Sequence, residues 1–214
     1  MKIRLEFAAF VLISASASAL PAHAVVITFD GLTGGAVTPN GAILYPSPVA
    51  IDGYTFTTLP FLDGRPAQFA TWTAASNVNA SFSNYTGSIS LFSNSGSPTT
   101  VRATGGGAFS VSSLSLGYLY RPANSITVTF LGSLAGGGSV TQTFTTAALD
   151  AALRTVTLSG FVGLTSLTLS QAGGNEAFQF DNVNVQAVPE AASALTFGCG
   201  LLSLLALLAL QRKT

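Results

Sequence analysis

The sequence predicts an all-β fold, an antiparallel two-sheet β-sandwich or jelly roll, and three observations support it. Short apolar segments alternate with Ser and Thr at period two along most of the chain. Gly, Asn and Pro turns separate these segments, and the chain carries 22 glycines and 9 prolines. Charged residues make up only 7% of the chain. Hydroxyl side chains therefore fill the outward positions, as suits antiparallel strands with one face towards water.

The strands predicted in chain order follow this alternation. The first covers residues 26–29, and the second is Tyr54–Thr57, after the turn pair Asp52-Gly53. Further strands are predicted around Ile89 and Leu91, over 126–130, 140–144, 156–158, 167–169 and 178–180, and at Val183 and Val185. Only 146–153 has a helical pattern, which predicts one short turn.

The first 24 residues have the pattern of a secretory signal peptide. Lys2 and Arg4 give a positive start, 7–20 is an apolar stretch, and Ala22 and Ala24 flank a small-x-small cleavage site. We therefore expect export and cleavage after Ala24. A retained membrane anchor is the alternative.

The last residues combine an apolar segment with a basic tip. Residues 191–210 are uncharged and include eight leucines. As a helix, 20 residues span roughly 30 Å, the thickness of a bilayer core. Arg212 and Lys213 are expected to stay on the cytoplasmic side, which places everything before Pro189 outside. A buried helix of a soluble protein is the alternative, but such a helix normally carries a polar stripe.

These features together resemble the bacterial PEP-CTERM sorting signal, whose tail is also called the ice-binding protein C-terminal domain. That signal has a Val-Pro-Glu-Pro-like motif, a transmembrane helix and a basic cluster, on proteins that begin with a signal peptide. Val188, Pro189 and Glu190 match the motif, and Ala191 stands in place of its second proline. The resemblance implies cleavage near Pro189-Glu190 by an exosortase, a membrane-embedded protease-transpeptidase.

The same resemblance implies a location and a setting. The precursor would be anchored in the inner membrane of a Gram-negative bacterium and then pass to the cell surface or extracellular matrix. Proteins with this tail occur in biofilm or floc formers that secrete exopolysaccharide. The chain thus divides into a signal peptide (1–24), a mature β-sandwich domain (25–186) and a sorting region (187–214).

The mature domain lacks the side chains of many catalytic sites. It has no His, Cys or Lys, because His23 lies in the signal peptide and Cys199 in the apolar tail. A Ser-His-Asp triad, a thiol nucleophile, a Schiff base and a zinc site of the usual kind are therefore excluded. A glycoside hydrolase that uses Asp150 and Glu176 is the enzymatic alternative, and it needs those carboxylates about 5–9 Å apart in a cleft. We expect a non-enzymatic surface or matrix protein.

Charge also limits the partners. Between residues 25 and 190 the chain has four arginines and seven carboxylates, an excess of three negative charges. This balance lacks the basic footprint of a nucleic-acid-binding protein. An exosortase, the inner membrane before processing, and exopolysaccharide are the expected partners.

Residues near the end of the domain suggest a metal site. The inward-facing positions change parity at Asp181-Asn182, which predicts a β-bulge. The 180–183 pattern resembles the last strand of galactose-binding-like sandwiches, in which the first and last strands often lie side by side. That resemblance implies that Asp30 lies near Asp181. A structural calcium ion could then take Asp30, Asp181 and Asn182 with backbone carbonyls. The alternative is that these side chains only stabilise a turn and a bulge. No other cofactor is predicted.

The aromatic residues suggest a second role. Tyr118 and Tyr120 are two positions apart on a predicted strand, so both rings fall on one face and could stack on sugar rings. Tyr45, Tyr54, Tyr85 and Trp72 are further candidates. Packing in the core is the alternative for all of them. The alternative function is therefore a carbohydrate-binding module or adhesin domain with a calcium-stabilised β-sandwich.

Overall fold

The computed structural model describes residues 24–74, 85–120, 125–147, 152–172 and 177–188. Within these ranges the chain forms fourteen β-strands and no α-helix. The strands are β1 (Ala24–Ile27), β2 (Ala36–Val37), β3 (Ile43–Pro46), β4 (Val49–Ile51), β5 (Tyr54–Thr57), β6 (Gln68–Thr71), β7 (Leu91–Ser93), β8 (Thr99–Ala103), β9 (Phe109–Tyr118), β10 (Thr127–Leu134), β11 (Ser139–Thr145), β12 (Arg154–Thr157), β13 (Leu164–Gln171) and β14 (Phe178–Ala187). No helix in the described ranges has the length and apolar content to cross a membrane.

Every strand pairing is antiparallel, and the pairings fall into two sheets. The first sheet runs β2-β3-β6-β7-β14-β9-β12, with β1 also paired to β14. The second sheet runs β4-β5-β8-β13-β10-β11. A single pair, Leu164 opposite Phe109, joins the two sheets.

Aromatic side chains pack the two sheets face to face. Phe56 on β5 lies 5.3 Å from Phe29 and 6.0 Å from Phe180 on β14, measured between ring centroids. Tyr54 on β5 lies 5.5 Å from Phe109 on β9. These rings belong to one core between the sheets, which we call the main core. The all-β antiparallel prediction is therefore confirmed, and the two packed layers are consistent with a β-sandwich.

The predicted bulge in the last strand is also confirmed. The pairing register between β14 and β9 shifts between Asp181 and Asn184, and Asn182 has a φ of 50°. Phe180 before the bulge and Val183 after it are both buried. One extra residue thus lets even and odd positions on the same strand face the core.

Several predictions lie outside the described residues. These are the signal peptide apart from Ala24, the motif residues Pro189 and Glu190, the apolar helix at 191–210, and the basic residues Arg212 and Lys213. The carboxylates of the hydrolase alternative, Asp150 and Glu176, also lie outside. Ala24 of the cleavage site and Val188 of the sorting motif are described, and both take part in the domain. Ala24 pairs with Gln186 on β14, and the backbone N–H of Val188 donates to the carbonyl of Ala108 at 2.9 Å.

Candidate functional site

A second apolar cluster lies on the outer face of the first sheet. Its buried members are Ala42, Ala70, Trp72, Phe92 and Leu119, and Leu44 and Tyr85 pack against them. The strand neighbours Ile43, Phe69 and Leu91 belong to the main core. Because successive side chains point to opposite faces of a strand, the cluster faces away from that core. The outer face of a sandwich is usually polar, so an apolar cluster there marks a surface of interest.

Trp72 is held firmly within this cluster. Its indole N–H donates a hydrogen bond of 3.2 Å to the backbone carbonyl of Leu119. Its ring lies 5.2 Å from the ring of Phe92, with the planes tilted by 33°. Only 5% of Trp72 is exposed. The position and orientation of the indole are therefore fixed by the fold.

Next to Trp72 the surface forms a pocket of about 290 Å³. Its aromatic lining is Trp72, Phe92 and Tyr120, its polar lining is Thr38, Asn40 and Asn94, and Ala42 and Leu44 complete it. The polar residues come from the turn between β2 and β3 and from the residue after β7. No charged side chain is among these described lining residues. The pocket therefore combines aromatic lining residues, of which Tyr120 is exposed and Trp72 and Phe92 are buried, with neutral hydrogen-bonding groups.

Tyr120 is the aromatic residue of the pocket that reaches solvent most. It is 41% exposed and lies two residues after the end of β9. Partial burial, and then the neighbouring Tyr118, raise the pKa of Tyr120 above its usual value. Its phenol therefore stays neutral at physiological pH and can both donate and accept a hydrogen bond.

The predicted pair of tyrosines is in contact but does not form one flat platform. The ring centroids of Tyr118 and Tyr120 are 6.2 Å apart, and the planes meet at 74°. Tyr118 packs against the main core and does not line the pocket, whereas Tyr120 does. The strand ends between them, so the chain no longer keeps both rings on one face.

The other candidate aromatics divide between the two clusters. Tyr45 and Tyr54 are buried in the main core, as the packing alternative predicts. Tyr85 is half-buried against the outer cluster. Of the aromatic residues named as candidates from the sequence, Trp72 is the one that belongs to the outer cluster and also lines the pocket.

The carboxylates of Asp30 and Asp181 lie near enough to each other for Asp30 to raise the pKa of Asp181. Two adjacent residues bind them. Ser88 donates its hydroxyl to Asp181 Oδ2 at 2.5 Å, and the backbone N–H of Ile89 donates to Asp30 Oδ1 at 3.3 Å. The side chain of Asn182 also donates to Asp181 Oδ2, at 3.2 Å.

Asp181 is a buried carboxylate with an incomplete set of hydrogen bonds. It has no exposed surface, and its Oδ1 makes no hydrogen bond to any described group. Burial raises the pKa of Asp181, and Asp30 raises it further. The Ser88 hydroxyl and the backbone N–H groups of Asn182 and Phe29 oppose this increase in pKa. These N–H groups approach the carboxylate, but none has hydrogen-bonding geometry at Oδ1.

The carboxylate pair alone does not make a metal site. Among the described residues, no group of three or more His, Cys, Asp or Glu could hold a metal ion. A cation here would need the carboxylates of Asp30 and Asp181, the Asn182 side-chain oxygen and backbone carbonyls. Oxygen donors of this kind suit calcium, which accepts irregular sets of six to eight.

Sequence reasoning found part of the pocket. It named Trp72 and Tyr120 but missed Phe92, Asn40 and Asn94. Trp72 and Phe92 are at even positions, whereas the core residues Phe69 and Leu91 are at odd ones. This difference could have predicted an apolar outer face. No sequence signal brings the 38–41 turn to that face.

Comparison with known proteins gives no family. No protein-family model and no curated protein matches the chain. Two variants of CBM29-2, from work on ligand recognition by family 29 carbohydrate binding modules, align at 14% identity and a TM-score of 0.32. These alignments cover 63% of this chain and 91% and 92% of theirs.

A third solved structure is the CBM22-1–GH10 modules of Clostridium thermocellum xylanase 10B, complexed with xylohexaose. It aligns at 10% identity and a TM-score of 0.30, over 77% of this chain and 28% of its own. Similarities this low carry no argument about the ligand of this chain.

Proposed function

We propose that the mature domain is a glycan-binding module and that the pocket on its outer face is the binding site. The observation that carries this proposal is the lining of that pocket. A sugar ring has an apolar face of C–H groups and a rim of hydroxyls. Tyr120 is 41% exposed and offers an aromatic surface for the face, beside the buried indole of Trp72, and Asn40 and Asn94 offer amides for the rim. Apolar walls with a few convergent polar groups are typical of small-molecule sites.

The lining favours binding over hydrolysis. Glycosidases use two carboxylic acids that flank the bond they cleave. No carboxylate lines the described part of the pocket. Asp30 and Asp181 hydrogen-bond to residues 88 and 89 instead, and one of them is fully buried. We therefore propose a binding protein and not an enzyme.

Affinity electrophoresis through gels that contain polysaccharide tests this proposal. We expect the producer's own exopolysaccharide to retard the protein, and the Tyr120→Ala variant to lose most of that retardation. Leu131→Ala is the matched control, because Leu131 is also 41% exposed but lies on β10 of the second sheet. Equal retardation of wild type and Tyr120→Ala, or none in any polysaccharide, would remove the pocket as a glycan site.

We also propose that the chain is exported and delivered by its ends. The signal peptide pattern at 1–24 and the sorting pattern at 187–214 support an inner-membrane precursor that an exosortase processes. Cleavage near Pro189-Glu190 would release the domain to the cell surface or extracellular matrix. There a glycan-binding domain would associate with exopolysaccharide.

A reporter fused to residues 185–214 tests the delivery proposal. We expect the reporter to be cut in cells with an active exosortase and to stay membrane-bound in cells without one. A fusion that carries Pro189→Ala and Glu190→Ala is the control, and it should stay uncut in both. A reporter with the native tail that is left intact in exosortase-positive cells would contradict this proposal.

A structural calcium ion at Asp30, Asp181 and Asn182 is a second proposal about the same domain. The Oδ1 of the fully buried Asp181 carboxylate supports it, because a buried carboxylate oxygen that accepts no hydrogen bond from the described residues is costly. A cation would neutralise both carboxylates and hold the first and last strands together.

A further inference from the structure

The two asparagines at the pocket each have one polar end already engaged. The Asn40 side chain hydrogen-bonds to the hydroxyl of Thr38. The Asn94 side chain hydrogen-bonds to the Gln68 amide at 3.4 Å. Each carboxamide has one oxygen and one NH₂, so each has one end that no described group binds and that a ligand could use. This holds whichever way round the amide oxygen and nitrogen are placed.

A hydroxyl group suits such a pair of amides, because it can donate to an oxygen or accept from an NH₂. A carboxylate can only accept, and it needs a cation or several donors to replace the water it loses. The described lining has no cation. It instead presents the neutral phenol of Tyr120 and the neutral amides of Asn40 and Asn94.

The size of the pocket favours one sugar unit. Its volume of about 290 Å³ is just below the ~300–1,000 Å³ typical of sites for drug-sized ligands. The turn that forms one wall is braced by backbone hydrogen bonds from Thr38 to Ala42 at 2.8 Å and from Gly41 to Thr38 at 2.9 Å. A cavity of this volume has room for one sugar ring and not for several, which suits a terminal or branching unit.

We infer that this pocket binds a single uncharged sugar unit at an end or branch of a glycan, with Asn40 and Asn94 as the specificity-determining residues. The inference rests on the proposed glycan-binding function and adds the class of sugar and the residues that select it. The aromatic surface supplies contact area common to many sugars. The two amides select a ligand that carries hydroxyls and no charge.

Competition binding with the exported full-length protein tests the inference. The probes are neutral hexoses, 6-deoxyhexoses and N-acetylhexosamines, their hexuronic acids, and the matching oligosaccharides. We expect a neutral monosaccharide to compete within about tenfold of its oligosaccharide, and the uronic acids to compete at least about tenfold more weakly. Asn40→Ala and Asn94→Ala should each weaken neutral-sugar binding about tenfold. Asn184→Ala is the control, because Asn184 lies on β14 and does not line the pocket.

Other outcomes distinguish a wrong sugar class from a wrong glycan-binding function. Tyr120-dependent binding that prefers uronic acids, that strengthens steadily with each added ring, or that ignores both asparagine variants would overturn the inference alone. Absence of Tyr120-dependent binding to any probe would overturn both. A circular dichroism melt of each variant distinguishes a lost contact from a lost fold.

Discussion

Ile27 on the first strand lies directly opposite Val183 on the last strand. This pairing joins the two ends of the domain and sets Asp30, three residues after Ile27, beside the bulge at Asp181-Asn182. The same bulge turns Val183 towards the main core. The pairing of Ile27 with Val183 therefore helps to pack the sandwich and also brings Asp30 near Asp181.

Calcium should stabilise the domain if it binds this carboxylate pair. A ligand that binds only the folded protein raises the melting temperature, here by roughly 5–10 °C in excess calcium relative to excess chelator. The increase should shrink in Asp181→Asn, which keeps a side chain of similar size but removes one charge. Differential scanning calorimetry measures both. A wild-type melt that is identical in calcium and chelator would dispose of the metal.

Without calcium, Asp181 should make the domain less stable as the pH rises. Burial raises the folded-state pKa of Asp181 above its ordinary value of 3.8, so the folded protein holds the proton more tightly than the unfolded chain. The stabilisation is complete below that ordinary value and is lost as the pH rises through the folded pKa. Asp181→Asn cannot titrate at this position. As the pH rises through the folded-state pKa, the free energy of unfolding of the wild type should therefore fall relative to that of Asp181→Asn. Urea unfolding in chelator at several pH values measures the difference, and a constant difference would contradict the assignment.

Gly132 on β10 should not tolerate a methyl group. A Cβ there would lie 2.7 Å from Leu164 Cδ2 and 2.9 Å from Val140 Cγ1. Gly132→Ala should therefore lower the free energy of unfolding by about 1–3 kcal/mol. Gly136→Ala is the control, because nothing lies within 4 Å of its added Cβ and its φ is not left-handed. Equal stability of the two variants in denaturant melts would show that the core around Gly132 can relax.

Regular alternation made most of the fold predictable. The segments predicted at Tyr54–Thr57, 126–130, 140–144 and 167–169 all lie in or largely overlap strands of the structure. The strands β2, β3, β4, β6 and β8 were missed. Of these, β2 and β4 have only two and three residues, which is too few to show a period. The predicted helical turn at 146–153 lies partly outside the described residues, and its described residues are not helical.

The central strand β9 was missed for a different reason. Phe109 and Val111 are buried at odd positions, whereas Leu114 and Leu116 are buried at even ones. The parity change falls on consecutive serines, so the alternation breaks in the middle of the strand. Period-two reasoning needs an unbroken run, and this strand offers two half-runs instead.

The pocket was only half predictable, because its parts come together through tertiary pairing. Trp72 and Phe92 share a face because β6 pairs with β7, and β3 brings the turn of Asn40 beside them. Aromatic residues attract notice in a sequence, whereas an asparagine in a turn does not. The register that carries Asn40 to the pocket is set by strand pairing that no local pattern records.

The central claim is tested most directly by the fluorescence of Trp72. It is the only tryptophan of the chain, and it lines the proposed glycan pocket, so its emission reports on that site alone. The exported protein is titrated with neutral oligosaccharides released from the producer's exopolysaccharide. We predict a saturable change in Trp72 emission that is lost in Tyr120→Ala and kept in Leu131→Ala. Saturable glycan binding by calorimetry with unchanged Trp72 emission would contradict the account.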